Sequence, residues 1–207
     1  MVTCEKVDYC SGKDKQSDWV SIDWDDDQSI HNLIEQLDFF CEPAYMIGLI
    51  GAMFLCGIVI GCMTLTRMGD VVGRKPIYML GVLMHIGVMC GLLLSTDAYF
   101  DFLLVFLFGM SVTARYYVGY AYNLEMQPKS HYVLVSTSMF LIESVVYITI
   151  CLYFWLVKGP WQILQIPNLA LSMMGIAFLF FMPESPRFLI SKKRYEEART
   201  IFKWIGR

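Results

Sequence analysis

The chain has 207 residues, 57% of them hydrophobic and only 17% charged, with a mean hydropathy of +0.51. A water-soluble domain needs about 25% charged residues to coat itself, so a freely dispersed globular protein is excluded as the default reading. The net charge of −3 hides a split: residues 1–43 are dominated by acids such as Asp23, Asp25, Asp26 and Asp27, whereas Arg187, Lys192, Lys193, Arg194, Arg199, Lys203 and Arg207 make the end basic. One acidic end and one basic end are expected of two sides of a membrane. No metal-ligand spacing, nucleotide-binding loop or nucleophile-base constellation occurs, which argues against an enzyme and implies no cofactor. The basic run abuts an apolar segment, so nucleic-acid binding is unsupported as well.

The first element in chain order is the acidic segment, residues 1–43, expected as an extracellular or lumenal loop. Within it Ile30, Leu33, Ile34 and Leu37 follow helical spacing and predict a short amphipathic capping helix. Cys4, Cys10 and Cys41 are odd in number, so either one thiol is free or a loop beginning before Met1 supplies a partner; sequence does not fix the pairing. Five apolar stretches follow, at about Ala44 to Thr66, Ile77 to Thr96, Phe100 to Leu124, Val133 to Val157 and Trp161 to Met182. Each approaches the roughly 20 residues a helix needs to cross about 30 Å of hydrocarbon. They are apolar blocks, without the alternation of barrel strands, so the expected fold is all-α, a polytopic membrane helical bundle.

The basic residues Arg67, Arg74, Lys75 and Lys129 and the tail from Arg187 predict which side faces the cytoplasm, with Lys158 dissenting. The turn at Asp97 and Asp101 then lies outside, together with the acidic segment. No hydrophobic segment precedes that segment to lead it across, so a missing upstream helix is the simpler expectation. Residues 184–207 read as a cytoplasmic amphipathic segment, with Tyr195, Ala198, Phe202 and Ile205 in register.

Two turns carry more than composition. After the first span comes Asp70-Val71-Val72-Gly73-Arg74-Lys75-Pro76, with Gly73 permitting a sharp bend and Pro76 suited to the first turn of the next helix. After the fifth comes Pro183-Glu184-Ser185-Pro186-Arg187. The first resembles the signature between helices two and three of the major facilitator superfamily. The second is similar to the segment closing helix six in sugar porters and organic cation and anion transporters. The segment Glu35 to Glu42 more loosely resembles the external loop of organic ion transporters. Val71 departs from the usual Arg of the first signature, and Thr66 from its frequent Gly. The resemblance implies a partial major facilitator fold, helices two to six of an N-terminal half, within a multi-pass protein of the plasma membrane or an organelle membrane. It also implies a cytoplasmic gate network of Asp70, Gly73, Arg74, Lys75, Glu125, Glu184 and Arg187, whose charges hold two halves together while a cavity faces outward.

Two charges fall inside hydrocarbon. Arg115 lies ten residues before Glu125 and Glu143 ten residues into the next, oppositely directed span, so both sit about 15 Å from the basic face. They read either as a buried ion-pair brace or as a substrate or proton-coupling site. Because the fourth helix lines the cavity in the resembled family, Arg115, Tyr116, Gly119 and Glu143 are the candidates for substrate binding or coupling. His85 is expected as a packed or hydrogen-bonded residue, and Asn168 beside Pro167 as a helper where backbone groups are freed.

The function implied is transmembrane transport of a small organic solute, an organic ion or a sugar, by alternating access. Its partners would be the lipid bilayer, the solute, a proton or ion if transport is coupled, and the missing transporter half. The alternative is a truncated porter-like chain serving as a non-transporting structural subunit or partner in a membrane complex.

Overall fold

The structure, a computed structural model, describes residues 31–37, 39 and 41–205. Among these every regular element is helical. The acidic stretch at 1–30, with Cys4 and Cys10, lies outside the described residues; Cys41 is disulfide-bonded. The elements are α1 (Leu33–Gln36), α2 (Ala44–Val71), α3 (Arg74–Leu94), α4 (Ala98–Met126), α5 (Lys129–Val157), α6 (Trp161–Phe181), α7 (Pro186–Ser191) and α8 (Tyr195–Ile205). Five of them, α2 to α6, are long and apolar enough to cross a membrane. With no water in hydrocarbon to satisfy backbone polar groups, continuous helices pair their interior N–H and C=O groups, with an interruption at Pro167 inside α6.

Helices α3 and α4 form the centre, with α2 against α4 and α6 against α3. Sequence decides how closely α2 approaches. A Cβ built on Gly57 would stand 2.1 Å from the Phe106 carbonyl oxygen, and one on Gly109 would stand 2.2 Å from that of Phe54. Only glycine at both positions permits this backbone contact, the small-residue packing that substitutes for a hydrophobic driving force between helices in lipid. Buried Thr113 adds a hydrogen bond from its hydroxyl to the Ile58 carbonyl, 3.2 Å away.

Helix α5 is different. None of its apolar window is buried, and Phe140, Leu141 and Ile142 are 55–65% exposed. It touches α4 through one stripe: Ser136 to the Tyr120 hydroxyl at 2.8 Å, Met139 to Asn123, and Glu143 to Tyr116. These positions recur at three- and four-residue intervals on both helices, as one face of each requires.

Several ends differ from the sequence expectation. Helix α2 continues through Arg67 and Asp70 to Val71, so the signature begins on the helix, and the turn shrinks to Val72 and Gly73. Helix α4 contains a π-helical segment, Ala114–Val118, and α5 ends in another, Tyr153–Val157. In α8, Ala198 is buried against protein while Tyr195 and Phe202, on the same side of the helix, are more than half exposed. The short α1 caps other helices: the Gln36 amide donates to the carbonyls of Leu92 and Ser95, both at 3.0 Å, at the end of α3.

Candidate gate and intramembrane charges

At the end of the bundle where α2 stops and α3 starts, Gly73 has φ +133° and makes the turn. Its missing side chain matters twice, because a Cβ there would also meet Glu184 Oε2 at 2.8 Å. Glu184 uses that room. Its Oε1 accepts from the backbone N–H groups of Arg74 (3.1 Å), Lys75 (3.0 Å) and Ser185 (3.0 Å). A carboxylate from the end of α6 therefore caps the N-terminus of α3, where unpaired N–H groups and the helix dipole favour negative charge. Lys75 returns the favour: its ammonium donates to the carbonyls of Met182 at 2.6 Å and Phe180 at 3.4 Å, the closing turn of α6.

Arg74 is the hub. Its Nη2 lies 2.6 Å from Asp70 Oδ1, one turn back, and 3.4 Å from Glu125 Oε1 at the end of α4. Asp70 is 62% exposed and Glu125 only 13%, so water screens the first contact far more than the second. Glu125 Oε2 accepts from the hydroxyl of Ser185, a fully buried residue that also N-caps α7 through the Phe188 N–H at 3.3 Å. The Tyr122 hydroxyl donates to the Pro183 carbonyl. Four helices, α2, α3, α4 and α7, and the end of α6 thus meet through one hydrogen-bonded set.

The structure brings together Asp70, Gly73, Arg74, Lys75, Glu125 and Glu184. Arg187 stands apart from that set, exposed, with its guanidinium 5.9 Å from the centre of the Tyr132 ring. Ser185 and Tyr122 are members that sequence reasoning missed. The signal for Ser185 was available, since a Ser immediately before a Pro at a helix start is an N-cap pattern.

The pattern of Asp70 to Pro76, Glu125 and Pro183 to Arg187 is therefore a folded unit, and comparison with known proteins says whose. The profile of the family described as "Sugar (and other) transporter" matches residues 9–207. The chain belongs to that family, within the major facilitator superfamily. Among similar members are the human organic cation/carnitine transporter 2, 24% identical over 183 residues, and mouse solute carrier family 22 member 21, 26% identical over 185. Each alignment covers 87% of this chain, and 33% and 32% of the relative. The organic cation transporter protein of Drosophila melanogaster is 23% identical over 184 residues, 86% of this chain and 32% of its own. The chain spans about a third of the length of the curated relatives it matches. As a member of this transporter family with five apolar spans, it is a multi-pass integral membrane protein.

Of the two readings of the intramembrane charges, the Arg115–Glu143 brace is not formed among the described residues. Glu143 takes hydrogen bonds from the hydroxyls of Tyr116 at 2.8 Å and Tyr147 at 3.4 Å, not from Arg115. Tyr116 and Glu143 face each other across α4 and α5, while Arg115, one residue away on the π-helical segment that packs against α3, makes no hydrogen bond or ion pair with Glu143. Gly119 is a packing position, since a Cβ would meet the Tyr78 ring at 2.7 Å. His85 is 1% exposed and lies 3.4 Å from the Asn168 amide of α6, which donates to Gln165 at 3.1 Å.

Proposed function

We propose that this chain forms part of a carrier that moves a small organic solute across a membrane by alternating access. The set centred on Arg74 closes the cytoplasmic side while the cavity faces out, and its breakage precedes inward opening. The observation that carries the proposal is the convergence of Asp70, Glu125 and the Glu184 cap on the first turn of α3. An isolated exposed pair is worth only about 0–1 kcal/mol, whereas a partly buried network can bias an equilibrium between two states. Arg187, exposed over Tyr132, supports the same face without being held in the network. The printed names of the relatives favour an organic ion as solute, and proton or ion coupling fits the Glu143 carboxylate at the midplane. The basic loops favour a cytoplasmic orientation for the Arg74 face, and a plasma membrane location accords with it.

The test is uptake of labelled organic ions and sugars by vesicles carrying the protein and its Arg74→Ala variant. The proposal expects about a tenfold loss of uptake, equal to about 1.4 kcal/mol, with membrane insertion retained. Unchanged uptake in the variant contradicts the gate. An inserted, folded protein that takes up nothing favours the non-transporting partner instead.

A further inference from the structure

Arg115 has no ion pair or hydrogen bond among the described residues, although it sits about 15 Å along α4 from Glu125. A charge at that depth is retained where it faces a cavity or a partner. The obvious partner is already engaged, because both oxygens of Glu143 are taken by tyrosine hydroxyls. On one side Nε of Arg115 is buried without a partner, as is Nδ1 of His85, whose other ring nitrogen faces Asn168. The two terminal nitrogens of Arg115 are not among the buried unpartnered atoms, so the open end of the guanidinium is its fork. The residue belongs to the π-helical segment Ala114–Val118, an insertion that changes the rotation of everything after it and is frequent at functional sites.

We propose that Arg115 anchors a carboxylate on the transported solute. A planar fork with five donors matches a carboxylate in a two-point contact, which a lysine ammonium cannot reproduce. A solute whose only charge is cationic is repelled at this position. The assignment rests on the transport reading for its biological sense, but it is a statement about binding and is tested as such.

The protein in lipid nanodiscs is heated with increasing sodium benzoate, sodium succinate or tetraethylammonium chloride. The expected result is a dose-dependent rise in Tm with at least one carboxylate and none with tetraethylammonium. Arg115→Gln weakens the apparent affinity at least tenfold, and Arg115→Lys retains part of it. The proposal is overturned if neither carboxylate shifts Tm, if Arg115→Gln binds as well as the parent, or if only tetraethylammonium stabilises. It is overturned too if Arg115→Gln fails to fold and Arg115→Lys binds carboxylate undiminished. Carboxylate binding without uptake contradicts the transport reading and leaves the anchor standing. Tetraethylammonium uptake that survives Arg115→Gln does the reverse.

Discussion

Arg74 holds two carboxylates of unequal burial, and that inequality ranks the substitutions around it. Asp70, 62% exposed, contributes an exposed pair on its own helix, so Asp70→Asn is expected to change uptake by no more than about fivefold. Glu125, 13% exposed, also accepts the buried Ser185 hydroxyl. Removing its charge leaves buried donors underused at a cost of about 1–3 kcal/mol, so Glu125→Gln is expected to lower uptake roughly fivefold to a hundredfold. Equal effects in the same vesicle assay contradict the ranking. Gly73→Ala combines a positive φ with a clash against Glu184. It is expected to destabilise the protein by about 1–3 kcal/mol, read as a lower Tm in detergent. These contacts were legible only in part. Asp70, Arg74 and Glu184 stood out as charges in patterned turns, but sequence does not reveal that Glu184 works through backbone N–H groups. Nor could it show that Tyr116 reaches Glu143 before Arg115 does, because a choice between adjacent residues depends on helix rotation, and the π-helical segment alters that rotation.

At the scale of elements, apolar blocks announced the five spans because lipid demands a continuous run, and a run is visible without any neighbour. The ends were less visible. Helix α2 outlasts its apolar block to Val71 because Arg67, Met68 and Asp70 are compatible with a helix that simply emerges into water, and the turn is forced only at Gly73. Packing between spans was visible only as scattered glycines. The backbone approach of Gly57 and Gly109 gives it a test: Gly57→Leu is expected to abolish recovery of monodisperse protein, through overpacking worth at least about 1–3 kcal/mol. Gly48→Leu, with no atom within 4 Å of its built Cβ, is expected to behave like the parent on size-exclusion chromatography. Similar profiles for the two variants refute the close crossing. In α8 only Ala198 of the apolar register is buried against protein, while Tyr195 and Phe202 remain exposed, since helical periodicity shows which residues share a face but not what covers that face.

For the whole molecule, the large apolar surface of α5 and α6, including Phe140, Ile142, Phe178 and Phe181, is tolerable only against hydrocarbon or further helices. The proposed gate in turn requires Asp70, Arg74, Glu125 and Glu184 to share one membrane face, and that follows only if each of α2 to α6 crosses once. The direct measurement is labelling of single introduced cysteines by a membrane-impermeant maleimide in sealed right-side-out vesicles, in a background in which all seven native cysteines are replaced. Exposed positions report each face: Thr96→Cys between α3 and α4, Lys129→Cys at the start of α5, and Arg187→Cys on α7. The account predicts that Thr96→Cys reacts at once, while Lys129→Cys and Arg187→Cys react only after permeabilisation. Reaction of Lys129→Cys and Arg187→Cys from opposite sides, or of Thr96→Cys and Lys129→Cys from the same side, contradicts it.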